Sequence, residues 1–182
     1  MCADVSNAIT FGEDRVGSYR FVRIQFHKEF KNGTIGVSEG TVICRAFEWA
    51  TRKRTPVIAW VSSAGIRVTD GTPALMQMIR IAGAVKEHSE KGLLLIAILE
   101  NITLGGVSAS LVSLADIIIA EKNALYGFSG KRIVQDTTHE QLPLDFQSAA
   151  FAKRHGMVDI VADRESIPLL ITKLLRIHTI KE

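Results

Sequence analysis

Short apolar segments along the chain predict β-strands. Residues 20–26 alternate in polarity, which is typical of a strand with one buried face. Four later segments are apolar almost without interruption, at residues 57–61, 93–99, 116–120 and 158–162, and a shorter strand is predicted at 125–128. Uninterrupted apolar strands indicate burial on both faces, as in a parallel sheet covered by helices.

Between the strands, apolar residues recur at helical spacing. Val42, Ala46 and Phe47 begin one such stripe, which Ser38 is expected to cap and Pro56 to terminate. A second stripe starts at Leu75 and ends before Lys91-Gly92. Further helices are predicted at residues 107–114, 131–155 and 166–177, with an interruption at Pro143 in the second of them.

The order of these elements predicts one α/β domain over residues 1–182. Strands and helices alternate, there is no internal repeat, and no linker separates a second unit. Residues 1–17 are mostly polar and are expected to be partly flexible.

Composition excludes several classes of protein. Apolar residues make up 47% and charged residues 23%, so a disordered, collagenous or coiled-coil chain is excluded. The net charge of +3 and the 7% of aromatic residues give no basic, aromatic stripe, so nucleic acid is not an expected partner. The longest apolar run is too short to span a bilayer, and no signal peptide is visible. With only Cys2 and Cys44, neither disulfides nor a zinc site is expected, and a cytoplasmic location fits best.

Two loops after predicted strands carry the candidate chemistry. One covers residues 62–67 and the other residues 103–108, which include Gly105-Gly106. Both lead from a strand to a helix N-terminus, where backbone N–H groups lack helical partners. Glycine lets such N–H groups approach a ligand, so an oxyanion hole is one interpretation and a tight structural turn is the other.

Other motifs are absent. No Gly-Lys-Ser/Thr follows a glycine-rich loop, and Ser110 stands where a nucleophile elbow requires glycine. The five histidines show no metal-ligand spacing, so no bound metal is predicted. Arg67 either binds an anion or ties down its own loop.

A set of motifs occurs in a fixed order along the chain. It includes Ser63 to Arg67, Gly105-Gly106-Val107-Ser108, Gly127-Phe128-Ser129-Gly130, Leu142-Pro143, Phe146-Gln147 and His155-Gly156-Met157. From about residue 33 to about residue 175, the sequence resembles the β subunit family of bacterial and plastid acetyl-CoA carboxylase carboxyltransferase.

This resemblance implies a crotonase-like (ClpP/crotonase) spiral of ββα units. It implies that Gly105 and Gly106 form an oxyanion hole for an acyl-CoA enolate, which accepts a carboxyl group from carboxybiotin on a carrier protein. It also implies an acyl-CoA site formed by Ala64, Gly65, Arg67, Leu104, Gly127, Phe128 and Gly130. The expected partners are an α-type carboxyltransferase subunit or further copies of the chain, together with a biotin carrier protein.

The sequence departs from the family at several positions. Ala64 and Ile66 stand where the family usually has glycine and alanine, Lys131 replaces a proline and Asp145 a glycine. The four-cysteine zinc ribbon of the bacterial subunit does not occur within the 182 residues. Two alternatives follow: a biotin-independent malonyl-thioester decarboxylase subunit, and a non-catalytic scaffolding subunit.

Overall fold

The computed structural model describes residues 7–178 and contains one sheet of seven strands. They are β1 (Ile9–Val16), β2 (Tyr19–Phe26), β3 (Val57–Ser63), β4 (Leu95–Thr103), β5 (Ile117–Glu121), β6 (Leu125–Tyr126) and β7 (Ile160–Ala162). The order in the sheet is β1-β2-β3-β4-β5-β7, and β6 pairs with the end of β4. β1 runs antiparallel to β2, and the other pairings are parallel.

Helices cover both faces of this sheet. They are α1 (Val37–Lys53), α2 (Thr72–Glu90), α3 (Gly106–Ser110), α4 (Lys131–Thr138), α5 (Ala149–Arg154) and α6 (Ile167–His178). The predicted α/β class is therefore confirmed, as is the break in the helical segment around Pro143. The helix predicted at 107–114 is shorter, because α3 ends at Ser110 and a 3₁₀ turn follows at Val112–Leu114.

The central strands are mostly apolar because each of their faces packs against a different cluster. On β3, Val57, Ala59 and Val61 belong to the larger cluster, which also contains buried residues of α1 and α2. Ile58 points the other way and packs with Ile171 and other residues of α6. Burial on both faces fixes the register of the sheet, and with it the position of the strand ends.

Helix α6 depends on three buried side chains for its attachment to the sheet, Ile167, Ile171 and Leu175. Changing Leu175, which is fully buried, to alanine is expected to lower the free energy of unfolding by about 2–5 kcal/mol. Leu169→Ala is the matched control on the same helix, because Leu169 is 60% exposed. Denaturant unfolding of both variants measures the difference, and equal losses would contradict this account of α6.

The partial flexibility expected for residues 1–17 does not extend to residues 9–16, which lie in a strand. Residues 9–16 form β1, which pairs with β2 along its whole length. Ile9 is buried, but most other β1 side chains are exposed, so the strand is held by backbone pairing rather than by an apolar pattern. Gly17, at φ +58°, makes the turn into β2. Residues 1–6 lie outside the described residues.

β4 extends beyond the strand predicted at residues 93–99, because it continues to Thr103. The β3–β4 register passes from Val61–Leu99 to Ser63–Thr103, so β4 carries two extra residues at a bulge. Asn101 lies in this bulge at φ +49°. Pairing of Ile102 and Thr103 with β6 extends the strand, and this tertiary contact leaves no signal in the local sequence.

Ser38 does not cap α1 as expected. The helix begins at Val37 after Gly36, whose N–H donates to Oε2 of Glu39 at 2.9 Å. Glu39 is almost completely buried at the start of α1, which has consequences for the site described below.

Burial also sets the protonation of His88, near the end of α2. Its Nδ1 lies 2.9 Å from Oγ1 of Thr51, and its ring packs edge-on against Phe47. Burial lowers the pKa of His88 from its ordinary value of 6.5, although the Leu94 carbonyl and Asp116 oppose the shift. The folded protein therefore favours the neutral ring.

This shift predicts a pH dependence of stability. Below about pH 6.5, His88 is protonated in the unfolded chain, whereas in the folded chain it takes up the proton only at lower pH. The free energy of unfolding therefore falls as the pH decreases through this window. His88→Gln should reduce the slope between pH 7.5 and 5.5 in denaturant unfolding. The same change at His139, which is exposed, serves as the control. Equal slopes for His88→Gln and the unchanged chain would contradict the prediction.

Candidate active site

Two loops lie side by side at the carboxyl ends of β3 and β4. After Ser63, the first loop contains Ala64, Gly65 and Ile66 and ends at Arg67. After Thr103, the second contains Leu104 and Gly105 and leads into α3. Leu104 N–H donates to the Ser63 carbonyl at 3.0 Å, which ties the second loop to the end of β3. The structure therefore brings together the two segments that the sequence singled out.

The loops touch through glycine backbone. A Cβ atom at Gly65 would lie 3.3 Å from Cα of Gly105, and a Cβ at Gly105 would lie 3.1 Å from Cα of Gly65. Gly65 has φ +109° and Gly105 φ +68°, conformations that side chains disfavour. Glycine is thus required at both positions by backbone conformation as well as by space.

The first loop is fixed by hydrogen bonds to the segment before α1. The Ser63 hydroxyl donates to the Gly33 carbonyl at 2.7 Å and accepts from Gly65 N–H at 3.0 Å. Ile35 N–H donates to the Gly65 carbonyl at 2.9 Å, and its own carbonyl accepts from Arg67 N–H at 2.8 Å. These bonds hold the backbone on both sides of Ile66.

In the second loop, the two glycines have different roles. Gly105 N–H donates to the Phe128 carbonyl at 2.8 Å, so this donor is already used. Within residues 7–178, the N–H groups of Gly106 and Ile66 have no assigned acceptor. The predicted pair Gly105 and Gly106 thus supplies one available donor, Gly106, and the first loop supplies another that the sequence reasoning did not identify.

Apolar side chains enclose Gly106. A Cβ at this position would lie 2.5 Å from Cγ1 of Ile66 and 2.8 Å from Sδ of Met78 on α2. Ile66 fills the space beside Gly106. Apolar surroundings strengthen a hydrogen bond to a developing negative charge, because water competes less for it.

Arg67, predicted to bind substrate, forms ion pairs and hydrogen bonds with other residues of the chain. Its guanidinium lies 2.8 Å from Oε1 of Glu39 and 3.4 Å from Oδ2 of Asp70, and it also donates to the Thr34 carbonyl at 2.9 Å. The side chain of Arg67 is only 11% exposed, and that of Glu39 only 3%. Of the two interpretations of Arg67, its contacts favour the one in which it ties down the loop.

The ion pair between Arg67 and Glu39 determines the charge state of Glu39. Burial pushes the pKa of Glu39 upward, but the hydrogen bonds from Arg67 and Gly36 and the charge of Arg67 outweigh it, so the pKa lies below its ordinary value. Glu39 is therefore ionised at neutral pH, and it raises the pKa of Arg67 in turn.

A cleft of about 570 Å³ adjoins the first loop. Of the predicted substrate-binding residues, Ala64 lies in its wall, whereas Gly65, Leu104 and Gly127 are not among the residues that line it. The sequence reasoning missed most of the wall, which includes Lys28, Glu29, Asn32, Ser62, Asn101, Ile102, Asn123 and Leu125. Lys28 and Asn32 follow the carboxyl end of β2, so the rule that selected the other two loops also indicates this one.

A second, more polar cleft of about 460 Å³ shares Lys28, Glu29, Ser62 and Asn101 with the first. On its far side, Arg164 donates to Glu100 at 2.6 Å and to Glu121 at 2.8 Å. The two clefts form a continuous groove across the carboxyl ends of the strands.

Gly127, Phe128 and Gly130, which were predicted to bind substrate, belong to a turn that packs against the second loop. Gly127 N–H donates to the Thr103 carbonyl at 3.2 Å, and the Gly127 carbonyl accepts from the Ser108 hydroxyl at 2.7 Å. Phe128 holds Gly105 through its carbonyl while its side chain is 62% exposed, and Gly130 precedes the first residue of α4. Their observed contacts are therefore with the second loop and with α4.

The chain has an α/β fold, in which two glycine-bearing loops meet at the carboxyl ends of the parallel strands β3 and β4. The carboxyl transferase domain family matches residues 9–175, and the chain belongs to this family.

Curated relatives support the same assignment. The chain is 42% identical over 153 residues to the acetyl-coenzyme A carboxylase carboxyl transferase subunit beta of Prochlorococcus marinus, covering 84% of this chain and 52% of the relative. It is 38% identical over 175 residues to the subunit of that name in Clostridium botulinum, covering 96% and 61%. The chain thus spans between half and two thirds of the length of these relatives.

Solved structures share the fold. A transcarboxylase 12S structure with methylmalonyl-coenzyme A and methylmalonic acid bound superposes with a TM-score of 0.85 and 25% identity, covering 92% of this chain and 33% of the other. A Pseudomonas malonate decarboxylase hetero-dimer gives a TM-score of 0.78 at 15% identity, covering 93% and 78%. These similarities confirm the predicted crotonase-like carboxyltransferase fold.

No helix within residues 7–178 has the length and apolar character needed to cross a bilayer. No group of three or more His, Cys, Asp or Glu side chains in the same range is placed to hold a metal ion.

Proposed function

We propose that the chain is the β-type subunit of a carboxyltransferase that converts acetyl-CoA to malonyl-CoA. The observation that carries the proposal is the pair of glycine-bearing loops with available N–H donors, in a chain of the carboxyl transferase domain family. The names of the curated relatives support acetyl-CoA as the substrate. The methylmalonyl-coenzyme A bound in the transcarboxylase structure supports an acyl-CoA ligand for this fold.

The chemistry requires that the thioester become an enolate. Loss of a proton from the α-carbon places negative charge on the thioester oxygen, and the N–H groups of Ile66 and Gly106 are the proposed donors to that oxygen. One such donor contributes about 2.7–4 kcal/mol to transition-state stabilisation. In the proposed order, the N–C bond of carboxybiotin breaks first, which releases CO2 and leaves a nitrogen that takes the α-proton. The enolate carbon then forms a bond to the carbon of this CO2.

The second substrate is carboxybiotin on a carrier protein, which supplies the carboxyl group and leaves a biotin nitrogen able to take the α-proton. The acyl-CoA is proposed to lie in the groove beside Ala64, where Lys28 provides positive charge for its phosphates. Ala64, Lys28 and Asn101 are the wall residues from three different strand ends that would contact it.

An α-type carboxyltransferase subunit is the proposed partner. Leu75, Met76 and Ile79 are 55%, 49% and 67% exposed on α2, the helix that places Met78 beside Gly106. An exposed apolar surface of this kind is typical of a protein interface. Its position next to Gly106 supports a site that the partner completes.

The experiment supplies the chain with a candidate α-type subunit, malonyl-CoA and free biotin, and follows acetyl-CoA release. Biotin-dependent release, abolished when avidin sequesters the biotin, is the expected result. Release without biotin would instead identify a malonyl-thioester decarboxylase. No turnover of either kind by the assembled complex would contradict an enzymatic role and favour a scaffolding subunit.

A further inference from the structure

Gln147 combines three unusual features behind the second loop. It is a non-glycine residue with φ +68°, a conformation that L side chains adopt at a cost in backbone energy. It is only 8% exposed. Its side-chain Nε2 donates to the Ser129 carbonyl at 2.6 Å, across the turn at residues 127–130.

The backbone around Gln147 holds it in this place. Its carbonyl accepts from Tyr126 N–H at 2.8 Å, which joins it to β6. Its amide lies over Gly127, where any Cβ atom would collide with the side chain of Gln147. The absence of a side chain at Gly127 is therefore what allows the amide to reach Ser129.

The turn that Gln147 secures is the one that engages the second loop. Phe128, adjacent to Ser129, provides the carbonyl that accepts from Gly105 N–H at 2.8 Å. Gly127 contributes two more bonds, to Thr103 and Ser108. The hydrogen bond from Gly105 N–H fixes the peptide between Leu104 and Gly105. Together with the φ and ψ of Gly105, +68° and −148°, the position of that peptide sets the direction of the Gly106 N–H.

We infer that Gln147 is a positioning residue for the oxyanion donor Gly106. Its side-chain amide donates to the Ser129 carbonyl and so fixes the turn at residues 127–130. That turn contains Phe128, whose carbonyl accepts from Gly105 N–H and orients Gly105. Backbone strain persists where the surroundings enforce it, and it is concentrated at functional sites. The inference rests on the proposed function of Gly106 and adds a residue that does not itself touch the substrate.

Two substitutions at Gln147 separate the effect of its side-chain donor from the effect of its positive φ. Gln147→Glu keeps the length of the side chain but replaces the donor with a carboxylate that repels the Ser129 carbonyl. Gln147→Gly relieves the positive φ but removes the amide. Gln141, an exposed glutamine in the same segment, provides matched controls as Gln141→Glu and Gln141→Gly.

In the malonyl-CoA and biotin assay, both Gln147 variants are expected to lower kcat by about 10- to 100-fold, because a small misplacement of a catalytic group has effects of this size. KM for malonyl-CoA should stay within about two-fold, since the groove is lined by other residues. For Gln147→Glu, kcat relative to the unchanged chain should recover as pH falls and the introduced carboxyl becomes a donor. The Gln141 variants should match the unchanged chain.

Amide hydrogen exchange at Gly105 gives a readout that does not require turnover. Both Gln147 variants should lose protection there while the centre of β4 keeps its protection. Folded variants with unchanged kcat and unchanged Gly105 protection would overturn the inference, as would variants that lose only thermal stability. If the unchanged chain is active and Gly106→Ala slows it, the proposed function stands whatever the Gln147 variants do.

Discussion

Replacing Gly106 with alanine is expected to slow carboxyl transfer by about 10²- to 10³-fold, the loss found when one oxyanion donor is removed. The N–H remains in this variant, but the new Cβ lies 2.5 Å from Cγ1 of Ile66 and 2.8 Å from Sδ of Met78. Such contacts are too short to persist, so either the loop or the two side chains must shift. A shift of the loop moves the donor away from the developing oxyanion.

The steric cause can be tested directly. Ile66→Ala removes the Cγ1 and Cδ1 atoms but keeps the Ile66 N–H, and Met78 can turn aside because its end is flexible. Ile66→Ala combined with Gly106→Ala should therefore recover much of the lost rate. Steady-state kinetics of the single and double variants measure the coupling. A Gly106→Ala variant with full activity in the assembled complex would contradict the oxyanion role.

Removing Arg67 is expected to have the largest effect on stability. Arg67→Met leaves the Glu39 carboxylate buried without its partner, which costs about 3–5 kcal/mol for a buried pair. The side chain of Glu39 is only 3% exposed, so water cannot replace the guanidinium without local opening. The free energy of unfolding from denaturant titration measures the loss.

The double variant Arg67→Met with Glu39→Gln is the control, because it removes both charges. It should lose less stability than the sum of the two single variants. Because the folded pKa of Glu39 is depressed, the stability it contributes is present above its ordinary pKa of 4.5 and is lost as pH falls through the lower folded value. Strictly additive losses would show that Arg67 and Glu39 do not stabilise each other.

The central strands and longer helices were predictable from sequence because burial alone determines their pattern. Most buried positions of β3, β4 and α2 are apolar, with exceptions such as Gln77 and His88 on α2. β1 was missed because its side chains are mostly exposed and its pairing is a property of the backbone. The end of β4 was missed because β6, more than twenty residues later, extends it.

The candidate site was predictable in location but not in detail. Gly105-Gly106 and the first loop were identified from glycine and strand order, and the structure places them in contact. Which N–H groups are available depends on the carbonyls of Phe128 and Ile35, which accept from Gly105 N–H and Arg67 N–H and come from distant parts of the chain. The groove was largely missed because its wall comes from three strand ends that share no motif.

The attachment of α6 also has a consequence for biosynthesis. One face of β2, β3, β4 and β5 is covered by α6, the last described helix, through Ile167, Ile171 and Leu175. Domains fold as units during synthesis, at about 5–20 residues per second. While the ribosome translates the stretch after β4, the apolar residues on that face, Ile58 and Ile96 among them, have no cover. The nascent chain therefore exposes this apolar face to solvent until α6 emerges from the ribosome and can pack on it.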